Sequence, residues 1–191
     1  MTQNTSQPRT LNGINLDQLY GTLDAIKKQP SLGKFQFRAS NRWIDGAHNR
    51  STIKDFYGAG QEDRSRVDPF TLEAGEPAVL VGTDSGPNPA ECALHALAAC
   101  LTTSLVYVAA ARGIHLTEVE STLEGDIDLQ GALGLSDAVR NGFQQIRVSF
   151  KVKGDAPPEK LQQIIARAQQ RSAVFDIVTH GVPVSVELVT D

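Results

Sequence analysis

Between Cys92 and Ala111 the chain carries no formally charged residue, and this run constrains the fold more than any other stretch. It opens on strong helix-start chemistry, with Asn88 as N-cap, Pro89 at the first helical position and Glu91 at the third, and it closes at Gly113. A helix from Pro89 to Arg112 would be about 36 Å long. Because it is apolar on nearly every side, it must be covered on nearly every side. A membrane could cover it. Against that stand His95, Thr102, Thr103 and Ser104 in its middle, the preference for alanine over leucine, and the lack of a second apolar span or an aromatic belt. The run is read as a buried core helix, with no membrane involved.

The remaining composition suits one soluble domain: 191 residues, 40% hydrophobic, 21% charged, with a formal net charge of -4. Arg38, Arg42, Arg50 and Arg64 are interrupted by acids, so no nucleic-acid partner is expected. The opening MTQNTSQPRTLNG lacks the apolar stretch of a secretory signal, which makes the cytoplasm the expected compartment. His48, His95, His115 and His180 are dispersed, no CxxC or HExxH occurs, and Cys92 with His95 is an isolated pair. Neither a metal nor another cofactor is expected.

Residues 1–13 carry no periodic pattern and are read as disordered. Asn15 then caps a helix bearing Leu16, Leu19, Tyr20, Leu23 and Ile26, which Pro30 stops. From Lys34 the period becomes two, with Phe35, Phe37 and Ala39 on one face, and Asp45-Gly46 signals a hairpin whose return strand runs from His48 to Tyr57. A third extended run, Phe70 to Val81, is interrupted by Gly75 and Pro77. After the apolar helix, Val119, Ser121, Leu123, Gly125 and Ile127 alternate with acids. Ile146, Val148, Phe150 and Val152 alternate with Arg147, Ser149, Lys151 and Lys153, so antiparallel pairing sets bases beside acids on the wet face.

Asp155 is expected to cap a helix opening at Pro157-Pro158 and running to Arg171. Ser172 to Gly181 reads as a connection, and Val182, Val184, Val186 and Leu188 as a last strand. The order α, β, β, β, α, β, β, α, β gives an α+β fold of antiparallel sheets around a long central helix. Residues 1–32 form an N-terminal extension and 33–191 the main domain. One sheet cannot close over a rod that is apolar all round, so a second copy of the chain is expected to cover the other side, as an obligate homodimer.

Cys92 and Cys100 lie eight residues apart, about 12 Å along the helix and about 80° around it, too far to bridge. Cys92, in the first turn, has the helix dipole to favour its thiolate; Cys100, mid-helix, needs outside help. Local physics alone therefore favours Cys92 as the reactive thiol, with two inert buried thiols as the plain alternative.

The stretch GTDSGPNPAECALHALAACLTTSLVYVAAARGI resembles the central motif of the OsmC/Ohr family, the osmotically induced and organic hydroperoxide resistance proteins, whose members read G-x-NP-E-E followed by an AxxAC helix. The order of elements from Phe35 onward is similar too. The resemblance implies an OsmC-like fold, an intertwined homodimer with two sheets enclosing paired central helices. It implies that Cys100 is the peroxidatic cysteine, that Arg42 in NRWIDG is the activating arginine, with Arg50 across the hairpin as the other candidate, and that Glu91 stands near the site. Two positions depart from the family pattern. Ala90 stands ten residues before Cys100, where the family's glutamate falls, and Glu91 is about 180° around the helix from Cys100, a place suited to a cap. In RSAVFD, Ser172 stands where a resolving cysteine would, and no cysteine follows Cys100.

Two functional expectations result. One is a one-cysteine, thiol-dependent reductase of organic hydroperoxides, with an external thiol reducing the oxidised Cys100. The other keeps the fold without the peroxidase and binds a small hydrophobic ligand at the dimer cleft.

Overall fold

The computed structural model describes residues 9–190. Strands β1 (Thr10–Leu11) and β2 (Ile14–Asn15) pair across a turn in which Asn12 and Gly13 both take positive φ. Part of the stretch read as disordered is thus a small hairpin, and residues 1–8 lie outside the described residues. Helix α1 (Leu16–Lys28) begins at Asn15, whose side chain accepts the Gln18 N–H at 3.0 Å, and it stops short of Pro30, as the sequence implies. The described chain divides into two compact units, one of residues 9–10 with Asn15–Ala93, the other of Leu11–Ile14 with 94–190.

In the first unit, β3 (Ser40–Asp45), β4 (His48–Ile53) and β7 (Phe70–Ala74) form an antiparallel sheet in the order β3-β4-β7, and β5 (Phe56–Gly58) pairs with β6 (Gln61–Asp63). The Asp45-Gly46 turn is where the alternation places it. The strand expected on Phe35, Phe37 and Ala39 is absent. Only an isolated bridge joins Gln36 to Tyr57, and the first long strand starts at Ser40. The aromatic rings explain the difference: Phe35 stacks on Phe37 at 5.9 Å and on Phe56 at 6.3 Å, and Phe37 meets Phe56 tilted at 5.7 Å, so side-chain packing rather than a ladder holds this segment. The Phe35 ring lies directly over Gly58, where a Cβ would come within 2.2 Å of it. The return strand breaks at Lys54-Asp55, and β7 ends at Ala74, before Gly75 and Pro77.

Helix α2 (Pro89–Ala111) is the uncharged run. With a mean hydropathy of 1.7 it is long and apolar enough to span a membrane by length and composition, and 22% of that window is buried. Burial follows one stripe, Leu97, Leu101, Leu105 and Ala109, joined by Ala110. Covering one stripe leaves most of an all-round apolar helix uncovered by its own chain.

The second unit continues with β8 (Leu116–Asp126), the short α3 (Leu129–Ala132), β9 (Gln145–Gly154), α4 (Pro158–Arg171) and α5 (Ala173–His180). β8 and β9 pair antiparallel in the register the alternation implies: Val119 opposite Val152 and Leu123 opposite Val148 inward, Glu118 opposite Lys153, Glu120 opposite Lys151 and Glu124 opposite Arg147 outward. Leu105, Ala109, Ile114, Ile164 and Ala168 form the core, with Val119, Phe150 and Val152 packed on it. Burying a side chain the size of Leu105 or Ile164 is worth roughly 1.5–3 kcal/mol. Asn12 is tied to this unit, its amide donating to Ile114 O at 2.9 Å and accepting from Leu116 N at 2.8 Å.

Three expectations fail here. Asp155 does not cap α4; its carboxylate accepts the His115 N–H at 2.8 Å, and α4 follows Pro157 without a side-chain cap. The segment read as a connection after Arg171 is α5, started by Ser172. The last strand does not form: residues 181–190 are without regular structure and Val182, Val184, Val186 and Leu188 are exposed, Val186 by 92%. Alternation alone does not make a strand, which needs a sheet edge to pair with.

Candidate active site around Cys100

Helix α2 is fixed at its start by reciprocal capping. Asn88 Oδ1 accepts the N–H groups of Ala90 and Glu91 at 2.8 and 3.0 Å, and Glu91 Oε2 accepts the Asn88 N–H at 2.9 Å. Asn88 also donates to Glu76 at 2.9 Å. Glu91 is therefore engaged as a capping residue. Nearby, the Cys92 thiol faces Pro87 O at 3.9 Å.

Cys100 sits two turns further on, in the second unit, half-buried. Burial pushes its thiol up, but hydrogen bonds from the Ser172 hydroxyl, the Val174 and Ala173 N–H groups and the Ser104 hydroxyl outweigh that, and the net pKa falls below the ordinary thiol value. These donors come from two places. Ser104 is one turn along α2 from Cys100, and the other three belong to the first residues of α5 and its cap. Ser172 is 3% exposed and its oxygen accepts the Phe175 N–H at 3.1 Å, which starts α5. All four donors are neutral.

The family resemblance singled out Ser172 as the position of a resolving cysteine, and the Ala173 and Val174 amides were missed because α5 was read as a connection. The signal was there: Ser172 as N-cap, Asp176 in the first turn, His180 in the last and Gly181 beyond the end. The β-branched residues Val174, Ile177 and Val178 masked it.

The candidate arginines lie in the first unit. Arg42 on β3 stands opposite Arg50 on β4, and Arg50 stands opposite Glu73 on β7. Arg50 Nε donates to Glu73 Oε1 at 2.6 Å, and His48 Nε2 lies 2.7 Å from Glu73 Oε2. The His48 contact, with that of Arg50 and against a cost of burial, holds the Glu73 carboxyl below its usual range. Arg50 is thus already committed to a carboxylate. Among the described residues the Arg42 side chain makes no hydrogen bond or ion pair. Neither Glu73 nor His48 was singled out from the sequence, since only the strand register brings them together.

An apolar cavity of about 240 Å³ adjoins the core of the second unit, lined by Leu101 and Leu105 of α2, Ile146, Val148 and Phe150 of β9, and Ile165, Ala168, Gln169 and Phe175 of α4 and α5. Leu101 and Leu105 are one step around α2 from Cys100 and Ser104, so the polar pair and the cavity wall form adjacent rows of the same helix. A second, more open pocket of about 250 Å³ is bounded by Gln169, Gln170, Ser172, Phe175, Asp176 and His180. Among the described residues no group of three or more His, Cys, Asp or Glu is arranged to hold a metal ion.

A half-buried thiol on the central helix, helices α4 and α5 packed beside it and antiparallel sheets in both units define a recognisable class. The family model for OsmC-like protein matches residues 82–187, more than half of the chain, and the chain belongs to that family. Among solved structures, the OsmC-like protein from Mycoplasma pneumoniae is similar with a TM-score of 0.59 at 12% identity, covering 76% of this chain and 88% of that one. An OsmC-like protein of unknown function from Vibrio cholerae gives 0.53 at 12%, covering 75% and 94%. An organic hydroperoxide resistance protein OsmC from Legionella pneumophila gives 0.51 at 17%, covering 76% and 90%. At these identities the likeness is one of fold. A comparison with curated protein sequences finds no match.

Proposed function

We propose that this protein is a thiol-dependent reductase of organic hydroperoxides that works with one cysteine, Cys100. The observation that carries the reading is the Cys100 thiol itself, held below its ordinary pKa in spite of burial and set one helix row from an apolar cavity. In the reaction the Cys100 thiolate attacks a peroxide oxygen. The S–O bond forms as the O–O bond breaks, and the departing alkoxide takes a proton to leave as an alcohol. Sulfur is oxidised by two electrons to the sulfenic acid, and the peroxide is reduced by the same two. An external thiol then attacks the sulfur and releases water, leaving a mixed disulfide; a second thiol frees Cys100 and carries the disulfide away.

The test is peroxide consumption with cumene hydroperoxide and a dithiol, compared with a Cys100→Ser variant. Consumption should require Cys100, and equal rates would sink the reading. Arg42 is the candidate for holding a peroxide oxygen, and an Arg42→Lys variant tests it in the same assay.

The working form is proposed to be a homodimer. In support, α2 is covered along one stripe by its own chain, and Val182 to Leu188 is an alternating segment with no strand to pair with among the described residues. The cavity also supports a second reading, in which the fold carries a small hydrophobic ligand and performs no peroxide chemistry. That reading expects a ligand retained through purification, seen by native mass spectrometry, and no sulfenic acid on Cys100 after peroxide treatment.

A further inference from the structure

The sequence contains two Asn-Gly pairs, Asn12-Gly13 and Asn141-Gly142. In such a pair the glycine has no Cβ to shield its backbone nitrogen, and that nitrogen can attack the carbonyl carbon of the preceding side-chain amide. Both glycines here have open space where a Cβ would stand. Neither is shielded by a neighbour, so the freedom of the asparagine amide decides.

Asn12 is half-buried and held at both ends of its amide, the nitrogen donating to Ile114 O at 2.9 Å and the oxygen accepting the Leu116 N–H at 2.8 Å. To close on Gly13 it must first give up both bonds, each of which stabilises the fold. Asn141 is exposed in the loop 133–144 between α3 and β9. Among the described residues its side chain makes no hydrogen bond, and the Gly142 N–H makes none either. The loop is fastened on both sides of this pair. The Leu135 and Ser136 N–H groups donate to Gln130 O at 2.8 and 3.1 Å, the Gln144 N–H donates to Asp126 O at 2.8 Å, and the Phe143 ring covers Gly125, where a Cβ would come within 2.4 Å of it. Asn141-Gly142 is the stretch left open between these anchors.

We propose that Asn141 is a site of spontaneous covalent modification, deamidation through a succinimide, while Asn12 is protected by its clasp on Ile114 and Leu116. The Gly142 nitrogen attacks Asn141 Cγ. The new N–C bond forms, the bond from Cγ to the side-chain nitrogen breaks, and ammonia leaves with the proton that Gly142 gives up. Water then opens the ring at one carbonyl or the other, giving an aspartyl or an isoaspartyl residue, and nothing is oxidised or reduced. The product carries a carboxylate where the parent has a neutral amide, so the formal net charge of -4 gains one further negative charge. The isoaspartyl form also routes the main chain through the former side chain, one methylene longer, two residues before the Phe143 ring that covers Gly125. This chemistry does not involve Cys100 and stands whether or not the protein reduces peroxides.

The experiment incubates the full folded chain at physiological temperature and pH and follows the peptides containing Asn12 and Asn141 by mass spectrometry after proteolysis, reading the mass difference between an amide and an acid. Asn141 should be modified at least about tenfold faster than Asn12, a factor set by the two hydrogen bonds that Asn12 has to break. In denaturing guanidinium chloride, where both amides are free, the two rates should converge. Gly142→Ala has room for its Cβ and a backbone outside the left-handed region; it should slow modification of Asn141 and leave that of Asn12 unchanged. Equal rates in the folded chain, or a slower Asn141, would overturn the proposal. So would a difference that persists undiminished in denaturant, which would trace it to flanking residues rather than to the fold, and so would a Gly142→Ala variant modified as fast as the parent.

Discussion

Asn88 and Glu91 close the start of α2 on each other, the Asn88 side chain accepting the Glu91 N–H at 3.0 Å and the Glu91 carboxylate accepting the Asn88 N–H at 2.9 Å. Each uses the other to satisfy a backbone group that a helix start leaves without an intrahelical partner. Asn88→Ala should therefore lower stability by about 1 kcal/mol, read from the urea midpoint. Glu91→Gln, which can still accept the Asn88 N–H, should lose less and leave peroxide consumption within about twofold of the parent. A far larger loss of activity at unchanged stability would move Glu91 from the cap to the reaction.

Leu105 and Ile164 are both fully buried, one on α2 and one on α4. Leu105→Ala leaves a cavity where the two helices meet the sheet and should cost about 2–5 kcal/mol, whereas Ile164→Val should cost about 0.5–1.5 kcal/mol. Both are read from denaturant midpoints with an unchanged slope. If Leu105→Ala proved neutral, the second unit would not be held by this core.

Glu118 is held below the usual carboxylate range by Lys151 first and Lys153 next, against a cost of burial. A carboxyl depressed in the folded state stabilises the protein above its unfolded pKa, and the contribution is lost as pH falls through the depressed value. Glu118→Gln should therefore flatten the acid limb of stability between pH 5 and the onset of acid unfolding, and change little in the slope from pH 7 to 8. The flattening should shrink at high salt, since the pairs face water.

If the homodimer is the working form, light scattering at micromolar concentration should give twice the chain mass. Val186→Asp together with Leu188→Asp should shift that toward the monomer, because a charge at these positions cannot be buried against another chain. An unchanged mass would leave the exposed C-terminal alternation without this partner.

The outer parts of this fold were readable because each rests on local chemistry. The capped rod, the Asp45-Gly46 hairpin and the acid-against-base pairing of β8 with β9 need only neighbours in sequence or a single ladder. What failed depended on distant partners. Phe35 and Phe37 alternate like a strand but are held by ring contacts with Phe56, and Val182 to Leu188 alternates without pairing to any strand among the described residues. At the site, Cys100 and Ser172 were singled out by the family resemblance, while the Ala173 and Val174 amides were not, because they belong to a helix more than 70 residues further along the chain that reads as a connection. The His48, Arg50 and Glu73 cluster was hidden for the same reason.

Strands β8 and β9 separate charge by strand: Glu118, Glu120, Glu124 and Asp126 on one, Arg147, Lys151 and Lys153 on the other. Both are also the edges of their two-stranded sheet. The charges are paired across the ladder, Glu118 with Lys151 and Lys153, Glu120 with Lys151, and Glu124 and Asp126 with Arg147, so the outer face of the sheet is a charge-balanced lattice that pins the register of the two strands and slackens as salt rises.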